Sequence, residues 1–294
     1  MSFRDRCPCC GGTGAIFAEE NVDAGSVSAS TYSSRKRPEL MHHELYQCDS
    51  CESLFTRVIP AFDDLEHDYR EASFDSGEEA AFASRTYINA LEPHRSRLRA
   101  GTALDIGTGD GAFLERLLEF GFSDVVGVEP SEAPIRESSP KVRSHIQQDM
   151  FREGLFGESS FDLVTCFQTI EHVPDPEALV REAHRVLRPG GLLAIISHDR
   201  KSLVNRVLGR KSPIFDIEHL QLLTKKGSAA LFDSGGFRDV EVKPILNRYP
   251  MRYWVRLAPL PAAVKTRVES HEHSRVLAVP IPLPVGNILA TGWK

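Results

Sequence analysis

The feature of the sequence that most constrains its fold is a glycine-rich turn directly after an apolar segment. Residues 103–113 read ALDIGTGDGAF, with glycine at positions 107, 109 and 111. Glycine is the usual residue where the backbone adopts positive φ angles or where a ligand approaches the main chain closely. A strand, such a turn and a helix are typical of open α/β folds, which bind ligands at the carboxyl ends of their strands. We therefore expect a parallel sheet with a ligand site at this turn.

Strand and helix signals alternate through the centre and the C-terminal part of the chain. Predicted helices cover AFLERLLEFG and PEALVREAHRVLRPGG. Predicted strands are TALDIG, DVVGVEP, FDLVTCFQ, GLLAIISH and the segments 144–148, 236–246 and 286–294. Alternating elements with short connections indicate a mostly parallel sheet that is covered by helices on both faces. We predict an α/β, Rossmann-like domain at 100–294 with an insertion at 247–286, preceded by a helical segment at 61–99.

Five of the six cysteines lie within the first 51 residues, where four of them form two C-x-x-C pairs. Two such turns bring four thiolates to one tetrahedral ion, and this spacing is typical of structural zinc sites. We predict a zinc ribbon over residues 1–60, with Cys9 as a bystander and the serine-rich stretch 21–39 as a loop. Free thiols or a redox-active pair are the alternatives, but a redox motif needs only one C-x-x-C. The predicted ligands are Cys7, Cys10, Cys48 and Cys51.

Composition and charge exclude several classes of protein. The N-terminal MSFRDRCPCC is too polar for a secretory signal, and no apolar run approaches the length that spans a membrane. We therefore expect a cytoplasmic protein without a membrane partner. Residues 1–60 carry six basic against eight acidic side chains, whereas a module that binds nucleic acid should be basic. The sequence leaves the oligomeric state open.

Acidic residues around the glycine turn narrow the class of ligand. The spacing is G-x-G-x-G rather than the G-x-G-x-x-G of dinucleotide-binding folds, and Asp105 and Asp110 lie beside it. Negative charge is unfavourable next to a pyrophosphate, but it suits S-adenosylmethionine, which carries an amino group and a sulfonium. Glu129 follows the next predicted strand, 22 residues after Gly107, where its carboxylate can accept hydrogen bonds from a ribose.

Residues 101–198 resemble the core of the class I S-adenosylmethionine-dependent methyltransferases, close to the ubiquinone-pathway type. The resemblance rests on an ordered series of motifs. They are LDIGTGDG, VVGVEPS, QDMF, FDLVTCFQTIEHVPDPEALVREAHRVLRPGGLLAIISH and, at 218–243, EHLQLLTKKGSAALFDSGGFRDVEVK. It implies a seven-stranded, mostly parallel sheet, S-adenosylmethionine as the cofactor and methyl transfer as the activity.

The resemblance also implies roles for individual residues. Asp105 is expected to order the glycine turn and the water around the methionine amino group. Asp149 and Met150 are expected to flank the adenine, and Gln168 to line the methionine end. Asp149 could instead be a plain helix cap, and Gly111 is expected to serve close helix–strand packing. The residues expected to bind the cofactor are Asp105, Gly107, Thr108, Gly109, Glu129, Pro130, Asp149, Met150 and Gln168.

His172, in the stretch IEHVPDP, is the candidate catalytic residue. A neutral imidazole beside the methyl group can take a proton from a hydroxyl nucleophile; the alternative is that the Glu-His pair only fixes this loop. In ubiquinone-type O-methyltransferases the matching Glu-His and an upstream Glu are associated with a divalent metal. Here Glu171 and His172 fit that pattern but Gln168 is neutral, so we expect no catalytic metal. His198 and His219 are further candidates for the acceptor pocket.

The C-terminal fifty residues carry an unusual concentration of positive charge. Residues 245–294 contain seven basic and two acidic side chains in a chain whose net charge is −6. We predict that the inserted segment forms a lid, with tyrosines that stack on the acceptor and arginines that bind an anionic group. The alternative is a solvated basic face with Trp254 in the core. The lid residues expected to contact the acceptor are Tyr249, Arg252, Tyr253 and Arg256, and helical spacing would place Arg248 on the same face.

These observations favour methylation of an anionic small molecule, such as a sugar or natural-product intermediate, at oxygen rather than at nitrogen or carbon. Two other functions stay open at this point. Zinc ribbons in front of such a core can grip nucleic acid, which suggests an RNA methyltransferase, although the charge of residues 1–60 argues against it. A non-catalytic cofactor-binding scaffold is the other, since fold does not imply function.

Overall fold

The structure, a computed structural model, describes residues 2–23, 40–70, 77–257, 260, 266–268, 270–271, 274 and 276–294. Most of the serine-rich stretch predicted as a loop, residues 24–39, lies outside these ranges. The side chain of Arg256 also lies outside what the structure describes.

The described chain contains a small N-terminal unit followed by alternating strands and helices. The strands are β1 (Ser2–Phe3), β2 (Gly14–Ala18), β3 (Leu45–Cys48), β4 (Leu54–Thr56), β5 (Val58–Ile59), β6 (Thr102–Ile106), β7 (Asp124–Val128), β8 (Ile146–Gln147), β9 (Phe161–Phe167), β10 (Leu187–His198), β11 (Gln221–Leu222), β12 (Arg238–Pro250) and β13 (Pro280–Trp293). The α-helices are α1 (Phe62–Arg70), α2 (Gly77–Leu91), α3 (Ala112–Phe120), α4 (Glu132–Glu137), α5 (Pro176–Val186), α6 (Leu203–Leu208), α7 (Lys225–Ser234) and α8 (Met251–Leu257).

The main sheet has seven strands in the order β12-β13-β10-β9-β6-β7-β8. The strands from β10 to β8 run parallel, and β13 is antiparallel to both of its neighbours. This confirms the predicted α/β, Rossmann-like fold. The chain moves outward from β6 to β7 and β8 and then returns to β9 on the other side of β6. The strand order therefore reverses between β6 and β9, where open α/β sheets bind their ligands.

Burial explains why the central strands are apolar along their whole length. Every residue of β9 is buried, because helices cover both faces of the sheet. Helix α3 packs Phe113, Leu114 and Leu117 into this core, and Gly121 ends it in a left-handed conformation that costs glycine little. Within the described ranges, no helix combines the length and the apolarity that crossing a bilayer requires.

Several elements differ from their predicted bounds, and three of them bear on the site. Helix α5 ends at Val186 rather than 191, because Leu187 already pairs with Phe161 and Pro189 disfavours helical backbone at the residue before it. Strands β12 and β13 extend beyond the predicted ones, to Pro250 and from Pro280, and pair with each other into the predicted insertion. Arg248 consequently lies in an exposed strand position and not on a helix face.

The N-terminal unit is a second, four-stranded sheet in the order β11-β4-β3-β2, with a small β1–β5 pair beside it. Its edge strand β11 belongs to the segment between α6 and α7, more than 160 residues further along the chain. Its buried cysteines and Phe55 form one hydrophobic cluster with Leu104, Ile106 and Ile170 of the α/β core. The unit therefore shares its core with the larger sheet.

Candidate cofactor and acceptor site

A cavity of about 940 Å³ opens at the carboxyl ends of β6, β7 and β9. This volume lies in the upper range of small-molecule sites, about 300–1,000 Å³. All nine residues expected to bind the cofactor line it, as do the three candidate histidines. Tyr249 and Tyr253 line it as well, whereas Arg252 is not among the described lining residues.

The glycine turn between β6 and α3 adopts the backbone conformation that only glycine accepts easily. Gly107, Gly109 and Gly111 have φ angles of 72°, 58° and 76°. A Cβ atom at Gly107 would lie 2.3 Å from the hydroxyl of Thr169, while one at Gly109 would meet no atom within 4 Å. Gly109 therefore presents bare backbone to open space, where a ligand can approach. At Gly111 a Cβ atom would lie 2.9 Å from Val142, which fits a packing role.

Glu129 directly follows the neighbouring strand β7 and contacts the glycine turn through its side chain. One carboxylate oxygen accepts a hydrogen bond from the amide of Gly109 at 2.9 Å, and the other accepts one from the amide of Ser131 at 2.9 Å. Both oxygens are thus held in place beside the turn, and burial raises the pKa of this carboxyl group. Each oxygen keeps a lone pair that can accept a hydrogen bond from a ribose hydroxyl.

Asp105 is the penultimate residue of β6, just before the same turn, and is 4% exposed. Its carboxylate accepts a hydrogen bond from the hydroxyl of Thr165 at 2.6 Å. Burial, with the nearby charge of Glu129 as a smaller cause, raises the pKa of Asp105 to about 6. The carboxyl group of Asp105 is therefore ionised at neutral pH, but only slightly above its pKa. A bound cation favours this ionised form.

Gln168 is strained and incompletely hydrogen-bonded. It follows β9 with a φ angle of 53°, a left-handed conformation that is uncommon for glutamine. Its backbone amide donates to Ile196, but its buried side-chain nitrogen has no hydrogen-bond partner among the described residues. Strain and an unpaired buried donor are both unfavourable, and both cluster at ligand sites. The arrangement places an amide donor where a ligand carboxylate can accept from it.

Asp149 and Met150 line the cavity beyond β8. The carboxylate of Asp149 accepts a hydrogen bond from the amide of Met150 at 2.8 Å and forms an ion pair with Arg152. Asp149 does not begin a helix, so the helix-cap alternative does not describe it. Its position is compatible with contact to an adenine, and its salt bridge restricts where the carboxylate can point.

His172 lies at the other end of the cavity, in a 3₁₀ turn formed by Ile170–His172. Its Nδ1 atom is 3.2 Å from the hydroxyl of Tyr69 and 3.5 Å from a carboxylate oxygen of Glu218. A proton on Nδ1 can therefore be donated to these oxygens, which leaves Nε2 as a proton acceptor. A contact of this kind fixes which ring nitrogen of a histidine carries the proton.

Two further imidazoles lie beside His172. The ring of His219 is 4.8 Å from that of His172 and 5.4 Å from that of His198, measured between centroids. The Nδ1 atoms of His198 and His219 contact the side-chain oxygen of Asn287 and the carbonyl of Ile214, at 2.9 and 2.7 Å. Burial lowers the pKa of His198, so this ring is neutral at physiological pH. The end of the cavity that contains these three histidines, called the acceptor end below, is therefore polar and rich in hydrogen-bonding groups.

Several lining residues were missed by sequence reasoning. Tyr69 and Tyr87 lie in the segment at 61–99, which was predicted only to be helical. Asp216 and Glu218 lie in the loop before β11, which brings them to the cavity only in the folded chain. Their one sequence signal was the EHL motif, in which Glu218 precedes His219.

The four predicted metal ligands come together in the N-terminal unit. The sulfur atoms of Cys7, Cys10, Cys48 and Cys51 all lie within 4.8 Å of one another, in a group that can hold a metal ion. Burial and neighbouring thiols raise the pKa of Cys10 to about 11, so the cluster favours thiolates only when a cation is present. Cys9 is buried next to the cluster but is not part of it.

The comparison with protein families agrees with this geometry. The family described as a methyltransferase domain matches residues 78–242, which include the glycine turn, Glu129, Gln168 and His172. The chain belongs to the methyltransferase-domain family. A fold neighbour is a S-adenosylmethionine-dependent methyltransferase from Thermotoga maritima, with a TM-score of 0.50 and 20% identity over 73% of this chain and 90% of that one. At this identity the likeness shows the fold alone.

Relatives of similar sequence are named for methyl transfer to oxygen. A ubiquinone biosynthesis O-methyltransferase of Pseudomonas paraeruginosa is 34% identical over 145 residues, which are 45% of this chain and 61% of that protein. Its counterpart in Acinetobacter baylyi is 29% identical over 42% of this chain and 55% of that protein. The chain therefore spans between 55% and 61% of the length of these relatives.

Proposed function

We propose that the protein is a S-adenosylmethionine-dependent methyltransferase that methylates a hydroxyl group of a small molecule. The observation that carries this proposal is the cavity, which joins the glycine turn and Glu129 at one end to His172 at the other. The cofactor, when bound, supplies a methyl group on a positively charged sulfur. Asp105 would hold the amino group of the cofactor, Glu129 its ribose and Gln168 its carboxylate.

His172 is the proposed general base. Its Nδ1 atom faces Tyr69 and Glu218, so Nε2 is the ring nitrogen that would take the proton of the acceptor hydroxyl. The O-methyltransferase names of the relatives support an oxygen acceptor. Correct positioning of the two reactants accounts for much of the rate of such transfers. In this chain the turn at 168–173 would provide that positioning.

The charge of the cavity restricts the acceptor further. Its described acceptor end contains Asp216 and Glu218 but no lysine or arginine, so an anionic acceptor finds no cationic partner there. Three arginines that line the cavity elsewhere form ion pairs with nearby carboxylates; they are Arg152, Arg181 and Arg185. We therefore propose a neutral or cationic hydroxyl compound as the acceptor, whereas the basic C-terminal segment favours an anionic one.

A matched set of probes tests this proposal. Catechol, dopamine and 3,4-dihydroxybenzoate offer the same hydroxyl pair with neutral, positive and negative charge. With methyl-labelled cofactor we expect label in catechol or dopamine and about tenfold less in the benzoate, because its carboxylate meets Glu218 and Asp216. Label in the benzoate alone would contradict the charge assignment. Cofactor binding without transfer to any hydroxyl probe would contradict O-methylation.

Replacing His172 by alanine should separate catalysis from cofactor binding. We expect turnover of the best probe to fall by about a hundredfold or more, because general bases contribute that much, with cofactor affinity changed by less than about twofold. The matched control is His184→Ala, since His184 packs against Phe237 and lies outside the cavity lining. Undiminished turnover of His172→Ala would leave this histidine only a loop-fixing role.

The raised pKa of Asp105 predicts a pH-dependent cofactor affinity. Above pH 6 the carboxylate is charged and favours the cationic cofactor; below it the group is protonated and this attraction is lost. We expect affinity to weaken by up to about tenfold per pH unit below that value, measured by calorimetry from about pH 8 to about pH 5. Asp105→Asn should bind more weakly at neutral pH and show a flatter profile, and a wild-type profile without slope would contradict the assignment.

We further propose that the four-cysteine cluster holds a structural zinc ion. Four thiolates satisfy its tetrahedral coordination and leave no position for a reacting water, so the ion would stabilise the fold rather than take part in catalysis. The proximity of all four sulfurs supports this role. No catalytic metal is proposed, since Gln168 is neutral at the position where the resemblance implies a carboxylate ligand.

A further inference from the structure

The N-terminal unit has no role in the chemistry proposed above, yet it is connected to the cavity. Strand β11, the edge of its sheet, pairs with β4 and is continuous with the loop that carries Glu218 and His219. A backbone hydrogen bond joins this segment to the turn that contains His172, because the amide of Leu220 donates to the carbonyl of Glu171 at 2.8 Å. The sheet of the cysteine unit thus reaches the turn that contains His172.

Gln221 makes the most direct contact with that turn. Its side-chain amide donates to the carbonyl of Ile170 at 2.6 Å and to that of Val173 at 2.9 Å. These two carbonyls flank His172 in the sequence, and Gln221 itself is 0% exposed. One buried amide therefore holds both sides of the turn that carries the candidate base.

Arg4, from the N-terminal unit, holds Gln221 in turn. Its guanidinium donates to the side-chain oxygen of Gln221 at 3.0 Å, to the carbonyl of Leu220 at 2.8 Å and to that of Pro174 at 3.3 Å. The same group donates to the carbonyl of Thr56 in β4 at 2.7 Å. Burial lowers the pKa of Arg4 to about 10, so it stays charged at neutral pH. Charge-assisted bonds of this kind are stronger than those between neutral groups.

We propose that the N-terminal cysteine unit supports the turn at 169–174 from outside the cavity, and that Arg4 and Gln221 are positioning residues for His172. The unit would then act through the turn at 169–174 and not by docking a separate partner. The cysteine cluster also contacts the segment that contains β11. The hydroxyl of Thr224, two residues after this strand, donates to the carbonyl of Cys51 at 2.6 Å. The inference concerns the position of His172 and relies on the proposed function only for the consequence of that position.

The test compares two side chains that join the N-terminal unit to the α/β core. Only one of them, that of Gln221, contacts the turn at 169–174. Gln221→Glu keeps the size of the side chain and its oxygen for Arg4 but removes the amide that binds Ile170 and Val173. Arg200→Ala is the matched control, because Arg200 donates to Gln47 and to the carbonyl of Glu52 in the unit and does not contact the turn. Both variants are measured in the full chain with S-adenosylmethionine bound.

Two readouts do not require the natural acceptor. Hydrogen exchange of the peptide that covers 169–174 should accelerate by about tenfold or more in Gln221→Glu and stay unchanged in Arg200→Ala. In protein labelled with ¹⁵N-histidine, the imidazole signals of His172, assigned by their loss in His172→Ala, should shift. The signals of His94, which packs against Trp293, should not shift. Cofactor affinity should change by less than about twofold, because the glycine turn and Glu129 are not touched.

Arg4→Gln is a second variant, which loses the charged donor but keeps Gln221. We expect it to accelerate the hydrogen exchange of 169–174 and to shift the His172 signals, both by less than Gln221→Glu does. If Gln221→Glu does not fold, Arg4→Gln decides the question. Unchanged exchange and unchanged His172 signals in the variant that folds would overturn the proposal. Absence of methyl transfer to the hydroxyl probes leaves both readouts valid, so the proposed function and this inference can fail separately.

Discussion

Cys48→Ser should abolish the zinc content of the protein and unfold its N-terminal unit. The free energy that a structural zinc ion contributes to folding is about 10–16 kcal/mol in isolated zinc-finger peptides, which is as large as the whole stability of many domains. Because the cysteines share one hydrophobic cluster with Leu104 and Ile170, we expect the damage to extend into the α/β core. Elemental analysis and thermal unfolding of the purified variant measure both effects.

Cys9→Ser is the matched control for this experiment. Cys9 is as buried as Cys7, at 2% exposure, but its sulfur is not in the four-cysteine group. The variant should retain about one zinc ion per chain. Zinc loss in Cys9→Ser, or a wild-type protein that contains no zinc after expression in zinc-supplemented medium, would contradict the assignment of the ligands.

The second large effect is expected at the cofactor end of the cavity. Glu129→Ala removes the carboxylate that would bind the ribose and leaves the amides of Gly109 and Ser131 without their acceptor. We expect the dissociation constant of S-adenosylmethionine to rise by about a hundredfold or more, which corresponds to about 2.7 kcal/mol. Gly107→Val should do the same, because its Cβ atom would collide with Thr169 and the φ angle is 72°.

Two controls separate binding from general damage. Glu132→Ala removes a largely exposed carboxylate three residues away that lies outside the cavity lining, and Gly190→Ala places a side chain at a positive φ angle with open space around it. Both should bind the cofactor normally. Wild-type affinity of Glu129→Ala in calorimetry would contradict the ribose assignment.

The elements that could be predicted from the sequence are those specified by neighbouring residues. The apolar run before Gly107 and the three glycines after it define a strand and a turn by local sterics. The C-x-x-C spacing likewise brings two sulfur atoms together within one tight turn. The order of these motifs along the chain was enough to indicate the Rossmann-like sheet, since parallel strands joined through helices have few possible arrangements.

The tertiary structure decided which distant residues meet. Nothing near Gln221 in the sequence predicts that it pairs with Phe55 or binds the turn at 170–173, because those partners are joined only by the folded chain. The same holds for Glu218 beside His172, and for the left-handed backbone of Gln168, which the sheet imposes against the preference of glutamine. Arg248, predicted to share a helix face, lies in β12 because pairing with β13 outweighs helical spacing. Local sterics therefore determined the turns and strands, whereas long-range pairing determined the acceptor end of the cavity.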